Sequence, residues 1–297
     1  MNLPPFPAES AAAARTIATR APANLTVATW NVWFDRTHMR ERYTALLLTI
    51  LTVAPDAIGF QEVVPRLADA LRSNEAVSAL YSVSPNEIRN YGCLLLVRKD
   101  LQPSFTEVAM PTSMGRTLLV AELGARPGTQ VATVHLESLD SEVMRQQQLQ
   151  VAAEALGRAR HAVLVGDFNF DDRRTWGEWR DPGLARPAHR LENARLGALL
   201  PRFVDAWHAV RGAATPGLTF DGASNPHVRD AGERMRYDRV MVRGMRPVQI
   251  EMLGVPDLSL PPEDHPVPSD HFGLLCTMTL HDERVAEALV SKEATKI

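Results

Sequence analysis

The sequence predicts an α/β fold in which β-sheets are covered by helices on one face and by a second sheet on the other. Three observations predict it. Strand and helix signals interleave along all 297 residues. The strands are of two kinds, some alternating polar with apolar residues and some wholly apolar. No repeat or low-complexity linker divides the chain, so one domain is the simplest organisation. An alternating strand buries one face and a wholly apolar strand buries both, a mixture that suits sheets packed between helices and another sheet.

Leu25–Val32 (LTVATWNV) alternates and is β-branched, which predicts a strand. Glu41–Val53 carries Tyr43, Leu46, Leu47 and Ile50 on one helical stripe, and Pro55 stops it. Ala57–Val63 predicts a short strand and Arg66–Leu80 a helix. Tyr91–Val97, Leu118–Leu123 and Val131–Leu136 are strand runs. Glu142–Arg160 is the clearest helix and precedes the strand Ala162–Val165. Val240–Val242, Pro247–Leu253 and Phe272–Leu280 complete the strands, while Val204–Val210 suits either strand or helix. Arg173–Arg202 has no pattern; it holds Pro182, Pro187 and Pro201, with Trp176 and Trp179 among arginines. A connection of that length in a compact domain is usually functional or disordered. Residues 1–24 read as a flexible lead-in, 25–281 as the domain, and 282–297 as a charged tail or short helix.

Composition is that of a soluble globular chain: 45% hydrophobic, 23% charged, net charge −3 and a pI near 6.3. There is no basic surplus of the kind most duplex-DNA binders show. No apolar run approaches the roughly 20 residues of a membrane span, so no membrane partner is expected. The two cysteines, Cys93 and Cys276, sit in apolar strand-like runs and are expected to be reduced and packed. That usage fits a cytoplasmic protein.

The polar residues that carry chemistry stand at strand ends. Asp167 follows HAVLV and Gly166, and Asn169 shares its parity along extended backbone, so both can face one site. Asp270 and His271 precede the apolar run FGLLCTM; as neighbours on extended backbone they should meet different partners. Asp238 opens the strand VMV and needs a partner if buried. His271 is an attractive one, since a carboxylate fixes the imidazole tautomer and favours its cation. Glu62 ends IGFQ and Asn31 follows VATW; Glu62 is the leading candidate for a hard cation, which takes oxygen ligands. His135 and Glu137 in VATVHLES should share a face. Singly, each residue suits an ordinary turn, cap or half-buried polar group as well. Jointly they place carboxylates, amides and histidines along one sheet edge, where α/β proteins commonly bind ligands.

TWN at 29–31, QEV at 61–63, HLES at 135–138, GDFN at 166–169, YDRV at 237–240 and PSDHFGLL at 268–275 reproduce, in order, the motif series of the endonuclease/exonuclease/phosphatase superfamily, which the chain resembles from about Leu25 to Leu280. HLES, MGRTLLV (114–120), VDAW (204–207) and PSDHFGLL single out a branch that acts on DNA 5′ ends, 5′-tyrosyl linkages included. The resemblance implies a four-layer α/β sandwich of two packed mixed sheets flanked by helices, DNase I-like in architecture. It implies a magnesium-dependent phosphodiesterase, with Mn²⁺ as a substitute ion. Glu62 would ligate the metal, supported by Asn31 and Asp270. Asp167 and Asn169 would align the attacking water and hold the phosphate. His271, oriented by Asp238, would stabilise phosphoryl charge. Tyr91, Arg116, His135, Ser138 and Phe220 would contact substrate. The implied partner is DNA, single-stranded or at a 5′ end, or another phosphodiester, met by a monomer.

Two positions depart from the branch, which has an Arg where this chain has Asp171 and a Trp where it has Phe220, so that cation–π pair cannot form. Arg173 or Arg174 is the available replacement. The lost pair and the acidic pI keep open a second enzymatic reading, hydrolysis of a small-molecule or lipid phosphate. A third, a non-catalytic binding protein, is disfavoured because every group the chemistry needs is present.

Overall fold

The computed structural model describes residues 24–256 and 267–280. The expected tail and nearly all of the expected lead-in lie outside the described residues. The architecture is a four-layer sandwich. One sheet contains β1 (Asn24–Asn31), β2 (Ala57–Val63), β3 (Tyr81–Val83), β4 (Gly92–Arg98), β13 (Met245–Leu253) and β14 (Gly273–Leu280), ordered β13-β14-β1-β2-β4-β3. The other contains β5 (Pro103–Ala109), β6 (Thr117–Leu123), β7 (Thr129–His135), β8 (His161–Asp167), β9 (Val204–Asp205) and β12 (Asp238–Arg243), ordered β5-β6-β7-β8-β12-β9. We call them the first and second sheet. A two-stranded ribbon, β10 (Phe220–Asp221) with β11 (Arg234–Met235), lies outside both. Both sheets are mixed: β1–β2 and β7–β8 run parallel, the other pairings antiparallel.

The inner faces of the two sheets bury a common core that includes Val27, Leu95, Val97, Leu119, Val131, Val163, Val165, Val240 and Leu274. Both free cysteines are buried here, as expected. Outside the first sheet pack α1 (Met39–Val53), α2 (Pro65–Ser73) and α3 (Glu75–Leu80). Outside the second sheet pack α4 (Glu142–Ala155) and the one-turn α5 (Leu196–Leu199). The stripe of α1 is buried, and the helix ends at Ala54 in left-handed backbone ahead of Pro55.

Several boundaries differ from the sequence reading. The helix expected over Arg66–Leu80 is two helices, because Asn74 breaks it and caps α3 by accepting from the Val77 N–H at 3.1 Å. The helix expected to Arg160 stops at Ala155. Val204–Val210 resolves into both readings, β9 followed by α6 (Ala206–Arg211). β5 gave no clear signal, since it is a sheet-edge strand with largely exposed positions. The unpatterned Arg173–Arg202 segment is ordered: short 3₁₀ turns lead into α5, Leu191, Leu196 and Leu200 are buried, and Glu192 pairs with Arg145 of α4 at 2.8 Å.

Candidate active site between the two sheet ends

Strand register assembles the site. In the second sheet His135 lies opposite Asp167, and Asp167 lies opposite Asp238, so three adjacent strands bring their polar ends side by side. In the first sheet Asn31 lies opposite Gln61, next to Glu62. The loop into β14 adds Ser269, Asp270 and His271. The sheets approach closely here because Gly59 faces Thr133, where a Cβ would strike the threonine hydroxyl. Gln61 bridges the gap, donating to Thr133 Oγ1 at 2.9 Å and to Thr29 Oγ1 at 3.1 Å.

Asp167 is the hub, 1% exposed. Its Oδ1 accepts from the Asn169 backbone N–H at 2.8 Å, and its Oδ2 accepts from Asn31 Nδ2 at 3.0 Å. His135 Nε2 stands 3.4 Å from Oδ2 and His271 Nε2 3.8 Å. Gly166 makes this possible: its φ is 144° and a Cβ would fall on the Val134 carbonyl. The parity argument for Asn169 does not hold, because the chain leaves extended geometry at that residue, φ 56°. Its amide donates to the Leu136 carbonyl at 3.0 Å, so Asn169 fixes the turn that holds Asp167.

His271 donates from Nδ1 to Asp238 Oδ2 at 2.8 Å, the partnership expected from sequence. Burial disfavours its charged form, but Asp238, Asp167 and Asp270 outweigh that and hold the imidazole well above the usual histidine range. The shift favours the cationic form, and Nε2 stands free of Asp238. Asp270 meets a different neighbour, as adjacent positions should: its Oδ1 lies 3.2 Å from Ser269 Oγ. Burial and the Glu62 charge push the Asp270 carboxyl up to about 7 against the pull of His271. Glu62 is raised too, by burial first, with His271, Asn31 and Phe34 opposing. Its Oε1 accepts from Asn31 Nδ2 at 3.2 Å and its Oε2 from the Phe34 N–H at 3.2 Å. An irregularity between Phe60 and Val63 turns Glu62 out of the ladder, with φ at 60°.

His135 behaves oppositely to His271. Arg116 Nη1 reaches its Nδ1 at 3.1 Å. A guanidinium can only donate, so Nδ1 is the acceptor and the proton sits on Nε2, facing Asp167. Burial and Arg116 hold its pKa down to about 3 despite Asp167. Arg116 also lies under Tyr91, 5.3 Å from the ring centroid, and Tyr91 stacks on the exposed Phe34 at 4.9 Å. These residues form an aromatic and cationic flank to the cleft. Ser138 is turned toward Met114, its Oγ 3.1 Å from the thioether. Glu137 does not share the His135 face. It accepts from Thr112 Oγ1, the Ser113 N–H and Gln148 Nε2 of α4, pinning the 112–116 loop instead.

Phe220 packs edge-on against His271 at 4.8 Å and against Tyr237 at 5.5 Å. Neither candidate arginine replaces the missing partner: Arg173 donates to the Ala213 carbonyl, and Arg174 to the Arg234 carbonyl at 3.4 Å. Asp171 is buried and accepts from the backbone N–H groups of Arg173, Arg174 and Arg236.

Four supporting residues had escaped the sequence reading. Arg42 of α1, buried, donates to the carbonyls of Val32, Trp33, Asp35, Thr37 and Pro268, so it shapes the loop whose Phe34 N–H holds Glu62. Ser269 Oγ donates to the Asn31 carbonyl at 2.6 Å and accepts from the His271 N–H at 3.2 Å. Thr219 Oγ1 accepts from the Asp238 N–H at 3.0 Å. Asn225 donates to the Ser269 carbonyl at 2.9 Å. Ser269 sits within a motif; the other three join segments far apart in sequence and left no local signal.

Acceptor oxygens and histidines arranged in this way suit phosphoryl chemistry. Residues 28–271 match the Endonuclease/Exonuclease/phosphatase family. The chain belongs to that family. Among curated relatives, tyrosyl-DNA phosphodiesterase 2 of Gallus gallus is 26% identical over 271 residues, covering 86% of this chain and 66% of the relative. The Mus musculus protein of the same name is 25% identical, covering 85% and 65%. The chain thus spans just under two thirds of the length of these relatives. Among solved structures, D. rerio TDP2 complexed with single strand DNA product superposes with a TM-score of 0.69 at 23% identity, covering 86% of this chain and 99% of that one. The human Nocturnin catalytic domain with bound sulfate gives 0.60 at 16% identity, covering 88% and 99%. These likenesses establish the DNase I-like four-layer sandwich. A divalent ion suits the family's acidic cleft. Asp167, Asp238 and His271 offer ligand atoms all within 4.8 Å of one another, and Glu62 and Asp270 form a second set of oxygens beside them.

Proposed function

We propose that this chain hydrolyses phosphodiesters at the 5′-phosphate of DNA, 5′-tyrosyl adducts among them, with a divalent cation on Glu62 and Asp270. Mg²⁺ is the proposed ion and Mn²⁺ its substitute. The observation that carries the reading is the buried His271, held through Nδ1 by Asp238 at 2.8 Å with its Nε2 3.8 Å from Asp167. That gap is too long for a direct hydrogen bond and suits a bound oxygen. The names of the relatives, and the DNA product in one solved neighbour, support the substrate class.

The choice of cation ligands rests on hydrogen bonding. His271 Nδ1 and Asp238 Oδ2 are joined to each other, so an ion held by Asp167, Asp238 and His271 would have to break that bond. Among the described residues, Glu62 and Asp270 have no cationic partner in direct contact, and their mutual repulsion raises Asp270. A hard ion with one or two carboxylates and several waters fits them. Asn31 is better placed to orient than to ligate: its Oδ1 accepts from the Trp33 N–H at 3.0 Å while Nδ2 faces Glu62 and Asp167. When bound, such an ion neutralises charge on the phosphoryl and leaving oxygens. Asp167, fixed by Asn31, Asn169 and His135, aligns the attacking water and accepts its proton. His271 donates Nε2–H to a phosphoryl oxygen, and Asp238 keeps that proton in place as charge builds. Arg116 and Tyr91 flank the strand.

The deciding experiment is release of tyrosine from a 5′-tyrosyl single strand by the purified protein with Mg²⁺. Release well above an Asp167→Asn control is expected; release equal to that control would sink the substrate assignment. Loss of affinity across moderate salt separates a strand from a small or lipid phosphate, for which the effect is much weaker. The two reduced cysteines support a cytoplasmic setting, in which we propose the protein acts as a monomer. No described helix is long and apolar enough to cross a membrane.

A further inference from the structure

A cavity of about 170 Å³ opens at the site end of the second sheet, lined by Asp171, Arg173, Arg174, Gly217, Leu218 and Arg234 among others. Its walls continue the segments that build the site. Asp171 follows Asn169, Leu218 precedes Thr219, and Arg234 lies in the ribbon strand paired with Phe220. Because β8 ends at Asp167 and β12 begins at Asp238, residues just after the one and just before the other emerge at the same end of the sheet.

The charge in this cavity is one-sided. Asp171 is saturated by three backbone N–H groups. Asp172, also in the wall, is held by His208 at 2.6 Å and by Arg236 at 3.3 Å. Both carboxylates are thereby turned to internal partners. The arginines keep exposed faces, although Arg174 donates to the Arg234 carbonyl and Arg234 pairs with Asp221. The side chains of Arg174 and Arg234 are 42% and 43% exposed, and each has a carboxylate on one edge only, Glu178 at 4.0 Å and Asp221 at 2.6 Å. Arg173 is exposed beyond its bond to the Ala213 carbonyl. The volume is below the roughly 300 Å³ at which drug-sized ligands begin to fit. It holds several waters' worth of space, which suits a phosphate group rather than a whole nucleotide.

We propose that this cavity binds a backbone phosphate of the nucleic-acid strand flanking the scissile one, with Arg173, Arg174 and Arg234 as its cationic contacts. The inference rests on the strand-cleaving reading above. It gives the acidic chain a local way to track a polyanion, and it assigns a role to a segment that departs at Asp171 from the branch the sequence resembles.

The test compares two esters of the same 5′-phosphate: p-nitrophenyl on a single mononucleotide and p-nitrophenyl on a ten-residue single strand. Arg173→Ala and Arg174→Ala, singly and together, leave the Asp171 backbone bonds intact. The expected result is a KM for the ten-mer raised about 5-fold or more per substitution at low salt, with a slope of log KM against log salt shallower by roughly 0.7 per lost contact. kcat on the mononucleotide ester should not change. Equal losses on both esters would overturn the proposal in favour of a structural role, and unchanged kinetics on both would overturn it outright. If the unsubstituted protein cleaves neither ester, the reading beneath falls first, and that failure is visible without any variant. Inorganic phosphate should inhibit the ten-mer reaction of the unsubstituted protein more than that of the double variant; equal inhibition contradicts the site.

Discussion

The two sheets bring different kinds of carboxylate to one cleft. On the second sheet, Asp167 and Asp238 are tied to donors and histidines: Asn31, the Asn169 N–H and His135 surround one, and His271 donates to Oδ2 of the other. On the first-sheet side, among the described residues, Glu62 accepts from Asn31 and Phe34 and Asp270 lies beside the Ser269 hydroxyl, and their carboxyl groups are pushed upward. Histidine-paired carboxylates fix protons and waters, whereas carboxylates that repel each other are places for a cation. On the proposed reading the cleft is divided into a cation half and a proton half, with His271 bonded to one and electrostatically coupled to the other.

The largest effects should come from breaking each half. Chelation of divalent ions, or Glu62→Ala, should take phosphodiesterase activity to background; activity persisting in EDTA would remove the cation half. Asp238→Asn should lower kcat by about 10²–10³, the range of a lost oxyanion-stabilising donor, with a smaller change in KM. A loss below about 10-fold would mean that His271 does not depend on that bond. Arg42→Ala removes the donor that gathers the Val32–Thr37 and Pro268 carbonyls, and should cost on the order of 3 kcal/mol, seen as several degrees in Tm. Unchanged Tm would show that the clamp is dispensable.

Protons sharpen the comparison. His135 has its pKa lowered from 6.5 to about 3 in the folded chain, so the unfolded state binds the extra proton between those values. Stability should therefore be intact above about pH 6.5 and fall as pH drops toward 3, by up to about 1.4 kcal/mol per pH unit from this residue. Denaturant unfolding of His135→Gln, which cannot titrate, should show a shallower acid slope; an identical slope would contradict the buried neutral assignment. The smallest effect concerns Phe220. Its edge contact with His271 is worth about 0.5–1.5 kcal/mol, so Phe220→Ala should change kcat by roughly 2- to 10-fold.

Much of this was legible because motifs and periodicity are local. The alternation of β1, the apolar run of β8 and the stripe of α1 each report burial within a few residues, and the polar ends of Asp167, Asp238 and His271 stand beside them. Even the Asp238–His271 bond followed from the cost of burying an unpaired carboxylate. What escaped depends on backbone turns and long-range contacts. Asn169 and Glu62 adopt left-handed conformations that parity arguments cannot anticipate. Arg42 looks like any helix arginine until its carbonyl partners, remote in sequence, are seen. The Arg173–Arg202 segment lacks periodicity because its order comes from 3₁₀ turns and from docking on α4, with Arg145 paired to Glu192.

The division of the cleft is tested most directly by calorimetric titration of Mg²⁺ or Mn²⁺ into the folded Glu62→Gln and Asp238→Asn proteins. If the ion sits on Glu62 and Asp270, Glu62→Gln abolishes binding, while Asp238→Asn binds within about 3-fold of the unsubstituted protein yet is slow in turnover. Loss of ion binding in Asp238→Asn, with binding retained in Glu62→Gln, would place the ion on Asp167, Asp238 and His271 and contradict the account.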